Sequence, residues 1–317
     1  MSPTLPWLDH RYSQLVVLLD GAADEPHRLL DGRTPYRAAS MPALNALLPL
    51  GRCGTFASIP EGCSPGSEVA NLCILGYAEE ATKVDGRAGF EALGLGLDLP
   101  PGSVCYRCDM PELPDMSLFP TSIGRLCRGV RHRHVFVPSP SLPEKESLDA
   151  LQNFILSCGL PPAGLWGRSV VRGLNFTPFA HRYGMQGAMI SAVPVMWGMA
   201  LALGMKRTTV EGATGDTDSN FAGKAAKALE LLQDFQFVYL HIEAPDEASH
   251  RKDPLAVRDV LERIDSDVIT KVSRWWHSRS GGPKALTIMP DHYTSSTTGE
   301  HLSIPVPYLH LRNDDRA

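Results

Sequence analysis

Short apolar runs alternate with amphipathic stretches along this chain, and they mark out its elements. Leu15-Val-Val-Leu-Leu19 is a β-type run that stops at Asp20-Gly21. A buried strand ending in an acid is where open α/β sheets place their chemistry. The pattern predicts a helix over 41–48 behind a Ser40 cap and a strand over 53–59. After the Pro/Gly-rich loop 60–66, Ser67 stands ahead of a short apolar-periodic helix over 69–75. Another strand is expected over 104–108. The middle is proline-rich, carries a basic knot from Arg125 to His134, and contains a helix over 144–157. Alternation resumes near Gly187: strands over 188–193, 208–211, 237–242, 285–289 and 306–309, with helices over 195–203, 220–232 and 255–274. This βαβα rhythm predicts an α/β fold with a mostly parallel sheet and helices on both faces. Residues 1–108 and 181–317 would form the main domain, and 109–180 a shortened inserted cap.

Composition narrows the function classes. At 43% hydrophobic and 21% charged, the chain can bury a sizeable core. A net charge of −5 argues against a nucleic-acid-coating surface. The 22 Arg against 8 Lys suit small phosphorylated or carboxylated ligands, since guanidinium forks match such anions. Met1–Tyr12 lacks the apolar core of a signal peptide, and the most apolar stretch, 190–205, is too short and too interrupted for a membrane span. Seven cysteines without a framework fit a reducing cytoplasm. Cys105 and Cys108 have CxxC spacing but no second pair, so two strand cysteines are expected rather than a zinc site.

The candidate chemistry sits at predicted strand ends. Asp246 and His250 are four residues apart, so one helical turn places carboxylate and imidazole on one face. Alone, that pair reads equally as a helix-start acid and a surface histidine. Asp291-His292 follows the strand at 285–289, His301 lies in a polar loop before the strand at 306, and Asp20 closes the first strand. Three Asp and three His at one sheet edge favour a divalent metal site with mixed O/N ligands. Ser67 reads either as a helix N-cap or as a metal-activated nucleophile on its glycine turn. Arg87 and Arg107 could clamp an anion or merely solvate a surface. Glu211 belongs to a tight turn or to a polar wall of the site.

Together these blocks resemble the archaeal-type cofactor-independent phosphoglycerate mutases of the alkaline phosphatase superfamily. The match runs through Asp20-Gly-Ala-Ala-Asp24, Pro65-Gly-Ser-Glu-Val-Ala-Asn71, Gly86-Arg-Ala-Gly-Phe-Glu91, Arg107-Cys108, Val210-Glu-Gly-Ala-Thr-Gly215, His241-Ile-Glu-Ala-Pro-Asp-Glu-Ala-Ser-His250 and Asp291-His292 with His301. The resemblance implies two divalent metals, manganese first, with zinc, cobalt or magnesium as alternatives. One would take Asp20, Ser67, Asp291 and His292, and the other Asp246, His250 and His301. It implies glycolytic isomerisation of 3- to 2-phosphoglycerate through a phosphoserine at Ser67. Arg87, Arg107, Glu211, Arg128 and Arg131 would lie on the substrate side. The expected partner is a small phosphorylated metabolite, with no nucleic acid and no membrane, in the cytoplasm. Glu68 and Asn71 stand where archaeal-type mutases usually have Asp and His, and the insertion is shorter. The Ser67-Glu-Val-Ala-Asn71 motif looks more like a sister branch labelled homoserine kinases, so a kinase-like or hydrolytic phosphotransferase on another metabolite is the alternative.

Overall fold

A computed structural model describes residues 5–171, 176–278, 280 and 282–314. Its strands, in chain order, are β1 (Ser13–Leu19), β2 (Arg52–Phe56), β3 (Val104–Asp109), β4 (Gly124–Val130), β5 (Arg133–Pro138), β6 (Gly164–Val170), β7 (Gly187–Ile190), β8 (Lys206–Thr208), β9 (Phe237–Ile242), β10 (Lys284–Met289), β11 (Tyr293–Thr294), β12 (His301–Leu302) and β13 (Val306–Arg312). Two compact units result. The first comprises residues 1–82, 177–192 and 203–317, and the second residues 83–176 and 193–202.

The first unit is built on a seven-stranded sheet of order β2-β13-β10-β1-β9-β7-β8. The run β10-β1-β9-β7-β8 is parallel, whereas β13 and β2 join antiparallel. Every residue of β9 and β10 is buried, as parallel strands covered on both faces require. One face packs Leu15, Val17, Val238 and Leu240 against Phe221, Ala225, Leu261 and Trp276. Alternation turns Tyr239 and His241 to the other face, where Tyr239 meets the helix Ser67–Ile74 through Asn71.

The long helix expected over 255–274 is instead a helix over Pro254–Ile264, a π-turn over Asp265–Ile269 and a helix over Thr270–His277. The π-turn carries the buried Asp265, whose carboxylate accepts from the N–H groups of Ala43 and Leu44 at 2.9 and 2.8 Å. Asp265 therefore caps the helix Pro42–Leu47, and the expected Ser40 cap is corrected: Met41 holds that position and makes no side-chain bond. The strand expected over 208–211 ends at Thr208, because the chain turns through Gly212 and Gly215, both at positive φ.

The second unit holds a four-stranded antiparallel sheet of order β4-β5-β3-β6. β3 thus belongs here, and the unit starts at Lys83 rather than at the expected 109. The basic knot is a hairpin, β4 and β5, with Arg131 at φ 55° in its turn. Cys105 and Cys108 are fully buried in β3 and join different apolar clusters, so they are strand cysteines and no chelating pair.

Candidate metal centre and nucleophile

The C-terminal ends of β1, β9 and β10 bring Asp20, the helix Ala244–His250, and Asp291-His292 together, and β12 adds His301. Gly21 makes this approach possible. It sits at φ +59°, and a Cβ there would come within 2.3 Å of Asp246 Oδ1. Asp20, Asp246, Asp291 and His292 are all buried. Asp246, His292 and His301 can each offer one ligand atom, all within 4.8 Å of one another, and so can Asp20, His241 and Asp291.

The outer hydrogen bonds fix how the imidazoles face this space. The Thr294 hydroxyl donates its one proton to Asp246 Oδ1 at 2.7 Å, because a carboxylate can only accept. Toward His292 Nδ1, 3.1 Å away, Thr294 therefore accepts, and Nδ1 carries the hydrogen. His250 Nδ1 faces the Gly299 carbonyl at 2.8 Å, and His301 Nδ1 the Pro65 carbonyl at 3.4 Å, which assigns the same tautomer to both. All three Nε2 lone pairs then point inward. His292 Nε2 lies 3.4 Å from Asp20 and 3.5 Å from Asp291. His250 Nε2 lies 3.1 Å from Asp246 and 3.1 Å from His301 Nε2. Lone pairs facing lone pairs and carboxylates at these distances require a cation between them, either protons or metal ions. The donor set therefore fits divalent metal, with His ligands oriented by outer acceptors.

The titration directions agree. Burial, together with the charges of Asp291 and Asp246, drives the Asp20 carboxyl well above its usual range. Burial opposes ionisation of Asp246, but hydrogen bonds and charge from His250 and His301 hold it well below. Burial lowers His292, whereas Asp246 overcomes burial and raises His250.

Ser67 is the first residue of its helix. Gly66 occupies the cap position, so the hydroxyl does not cap the helix. It lies 3.3 Å from His292 Nε2, and the side chain is buried at the edge of the donor cluster. Asn71, one turn on, donates to the Ser67 carbonyl and to Asp291 Oδ2, both at 2.8 Å. Its amide oxygen accepts from Tyr239 at 2.6 Å. Asp291 Oδ1 takes the N–H groups of Gly21 and His292.

Sequence reasoning missed His241. It is fully buried on β9, 3.2 Å from Asp20 and 3.3 Å from Glu243. Burial opposes its protonation, yet the two carboxylates raise it to about 9. Behind it the fully buried Lys224 pairs with Glu243 and donates to the His241 carbonyl at 2.8 Å. A lone imidazole inside an otherwise continuous apolar strand was the available signal.

The remaining expected site residues divide between the two units. Glu211 is exposed on the turn after β8, where its carbonyl accepts from Asn220. Arg87 and Arg107 belong to the second unit and share the buried Glu91, at 3.1 and 2.7 Å. Arg107 also pairs with Asp109 at 2.5 Å, and both guanidinium groups lie over the Trp166 ring. Arg128 and Arg131 are exposed on the β4–β5 hairpin.

A mostly parallel sheet gathers acidic and imidazole side chains at its strand ends, and the Metalloenzyme superfamily model matches residues 13–316. A 2,3-bisphosphoglycerate-independent phosphoglycerate mutase of Methanothrix thermoacetophila is 32% identical, covering 93% of this chain and 89% of that protein. A probable mutase of the same name from Geobacter sulfurreducens is 30% identical over the same 93% and 89%. A solved Pyrococcus horikoshii protein, 29% identical, superposes with a TM-score of 0.71 over 95% of this chain and 85% of its own. The fold is also that of the cofactor-independent phosphoglycerate mutase of Thermoplasma acidophilum, at TM-score 0.59 and 22% identity over 94% and 89%. The chain belongs to the metalloenzyme superfamily and, within it, to the family of the 2,3-bisphosphoglycerate-independent phosphoglycerate mutases. Its alignment with the Methanothrix protein spans 353 positions against 317 residues here, so that relative carries segments this chain lacks. Among the described residues no helix is long and apolar enough to cross a membrane.

Proposed function

We propose that this chain isomerises 3-phosphoglycerate to 2-phosphoglycerate by passing the phosphoryl group through Ser67. The observation that carries the reading is the Ser67 hydroxyl, released from capping and set 3.3 Å from the inward lone pair of His292. Asp20, Ser67, Asp291 and His292 would hold one divalent ion, and Asp246, His250 and His301 a second. Manganese is the first choice and zinc, cobalt or magnesium the alternatives. Such ions supply charge neutralisation for the phosphoryl group and lower the barrier to ionising the nucleophile. The Ser67 oxygen attacks phosphorus, the ester oxygen leaves as the glycerate hydroxyl, and the return transfer from Ser67 goes to the neighbouring hydroxyl. The helix N-terminus at Ser67 favours the negative charge that gathers there. Asn71 holds the helix start and Asp291 in register with each other.

The second unit would supply the anion contacts, with Arg87 and Arg107 already stacked on Trp166 and with Arg128 and Arg131 on the exposed hairpin. In this reading the enzyme works on a small metabolite in the cytoplasm, apart from membranes and nucleic acids. A homoserine kinase-like phosphotransferase or a phosphohydrolase acting on another small phosphorylated metabolite is the second reading. It is favoured by the segments that the Methanothrix mutase has and this chain lacks. A screen of the manganese-loaded protein against phosphoglycerates, p-nitrophenyl phosphate, and homoserine with ATP separates the readings. Isomerisation of phosphoglycerate lost in Ser67→Ala supports the first, and turnover by folded Ser67→Ala removes the nucleophile assignment.

A further inference from the structure

His241 is a fully buried imidazole to which the two-ion reading gives no role. Leu18 of β1 and His241 of β9 are partners in parallel register, and Asp20 lies two residues beyond Leu18. The imidazole and the carboxylate meet just past the end of β1, with His241 Nε2 3.2 Å from Asp20 Oδ2. That approach is not a hydrogen bond. Nε2 is buried and has no hydrogen-bond partner among the described residues, and neither has Asp20 Oδ1. Buried polar atoms left unmatched are rare in folded proteins and mark a missing partner.

The other ring nitrogen decides what Nε2 offers to that partner. Nδ1 lies 3.3 Å from Glu243 Oε1 and 3.4 Å from Ser191 Oγ. Ser191 donates its one proton to Glu243 at 2.8 Å, so toward Nδ1 it accepts. The buried Lys224 pairs with Glu243 and keeps it a carboxylate, which also accepts. Facing only acceptors, Nδ1 carries the hydrogen, and Nε2 presents a lone pair. The ligand atoms of Asp20, His241 and Asp291 all lie within 4.8 Å of one another. As with the other three imidazoles, this lone pair needs a cation, a proton in the metal-free chain and a metal ion in the loaded one. A carboxylate behind the ring, here Glu243, is the arrangement that orients a metal-binding histidine and raises its basicity.

We propose that His241 ligates, through Nε2, the ion assigned to Asp20, Ser67, Asp291 and His292. The inference rests on the two-ion reading and adds what sets the metal preference of that site. A second nitrogen donor turns it toward manganese, cobalt or zinc and away from magnesium, which prefers oxygen.

Cobalt(II) is the probe, loaded into the metal-free full chain and followed by proton NMR. An imidazole bound through Nε2 gives a ring N–H resonance shifted far outside the diamagnetic range, absent when the protein is exchanged and loaded in deuterium oxide. One such resonance is expected from each of His241, His250, His292 and His301, with two ions per chain by elemental analysis. His241→Asn should lose one resonance and weaken one ion by more than the about 10–100-fold of an outer-shell loss. Its magnesium affinity should fall less than its cobalt affinity, whereas general damage to the fold would weaken both metals alike. The wild-type count stands even where the variant fails to fold. Two bound ions with only three such resonances would overturn the role of His241 and leave the two-ion reading intact. Failure to bind cobalt would remove both.

Discussion

Replacing Thr294 by valine tests the reading of the donor cluster at a residue that is not itself a metal ligand. The side chains have nearly the same shape, so the change removes the hydroxyl and little else. It deletes the 2.7 Å donation to Asp246 Oδ1 and the 3.1 Å acceptor of the His292 Nδ1 hydrogen. One ligand from each proposed ion loses its orienting partner. Outer-shell losses of this kind cost about 10–100-fold in metal affinity, or roughly 1.4–2.7 kcal/mol. The stranded Nδ1–H of the fully buried His292 adds a desolvation penalty of about 1–3 kcal/mol to the metal-free fold. The assay is competitive chelator titration of manganese with wild type, Thr294→Val and Thr294→Ser, paired with urea unfolding of the chelated proteins. Weakened binding in valine and recovery in serine is the expected pattern. Metal affinity unchanged in a folded Thr294→Val protein would refute the tautomer argument, because His292 would then need no fixed Nδ1 acceptor.

Four further outcomes follow from the same geometry. Ser67→Ala should abolish phosphoryl transfer yet move the unfolding midpoint little, within about 0.5 kcal/mol, since the hydroxyl caps nothing; equilibrium denaturation checks this. Asn71→Ala should cost about 1–3 kcal/mol and lower metal content, because Tyr239 and Asp291 each lose a buried partner, and Asn71→Asp should be worse, facing Asp291 with like charge; urea unfolding with metal analysis reads both. Lys224→Met leaves Glu243 buried without its cation and should cost about 3–5 kcal/mol, seen as lost soluble yield or a lowered melting temperature. Glu144, held down to about 2 by Arg168 and Tyr106, contributes stability that is fully present above its unfolded pKa of roughly 4.3 and is lost as pH falls toward 2. Because the Glu144 side chain is 35% exposed and screened by solvent, acid titration of Glu144→Gln against wild type should differ by no more than about 1 kcal/mol.

Much of the first unit was legible in the sequence because its strands are continuous apolar runs with acids at their ends. β9 over Phe237–Ile242 falls where the pattern put it, and so, in the second unit, does the helix Glu144–Ser157. That three Asp and three His would gather at one sheet edge was likewise legible, since strand ends and a helical DxxxH spacing are local signals. What escaped was tertiary. Nothing local says that β3 pairs with β5 and β6 instead of entering the main sheet, so the second unit begins earlier than its proline-rich centre suggested. The basic knot hid a hairpin, because charges on an edge strand mask its alternation. Asp265 interrupts a helix to cap another one more than 200 residues away in sequence, a demand invisible in either segment. Ser67 read either as a cap or as a nucleophile, and only the backbone shows that Gly66 takes the cap position.

The central claim is that Ser67 carries the phosphoryl group between two hydroxyls of one substrate. Manganese-loaded protein mixed with 3-phosphoglycerate, quenched in acid within the first turnovers and digested for mass spectrometry, tests it most directly. The account predicts phosphate on the Ser67 peptide together with 2-phosphoglycerate in solution, both absent in Ser67→Ala. Isomerisation at full rate with no phosphate on Ser67, or with phosphate on another residue, would contradict it.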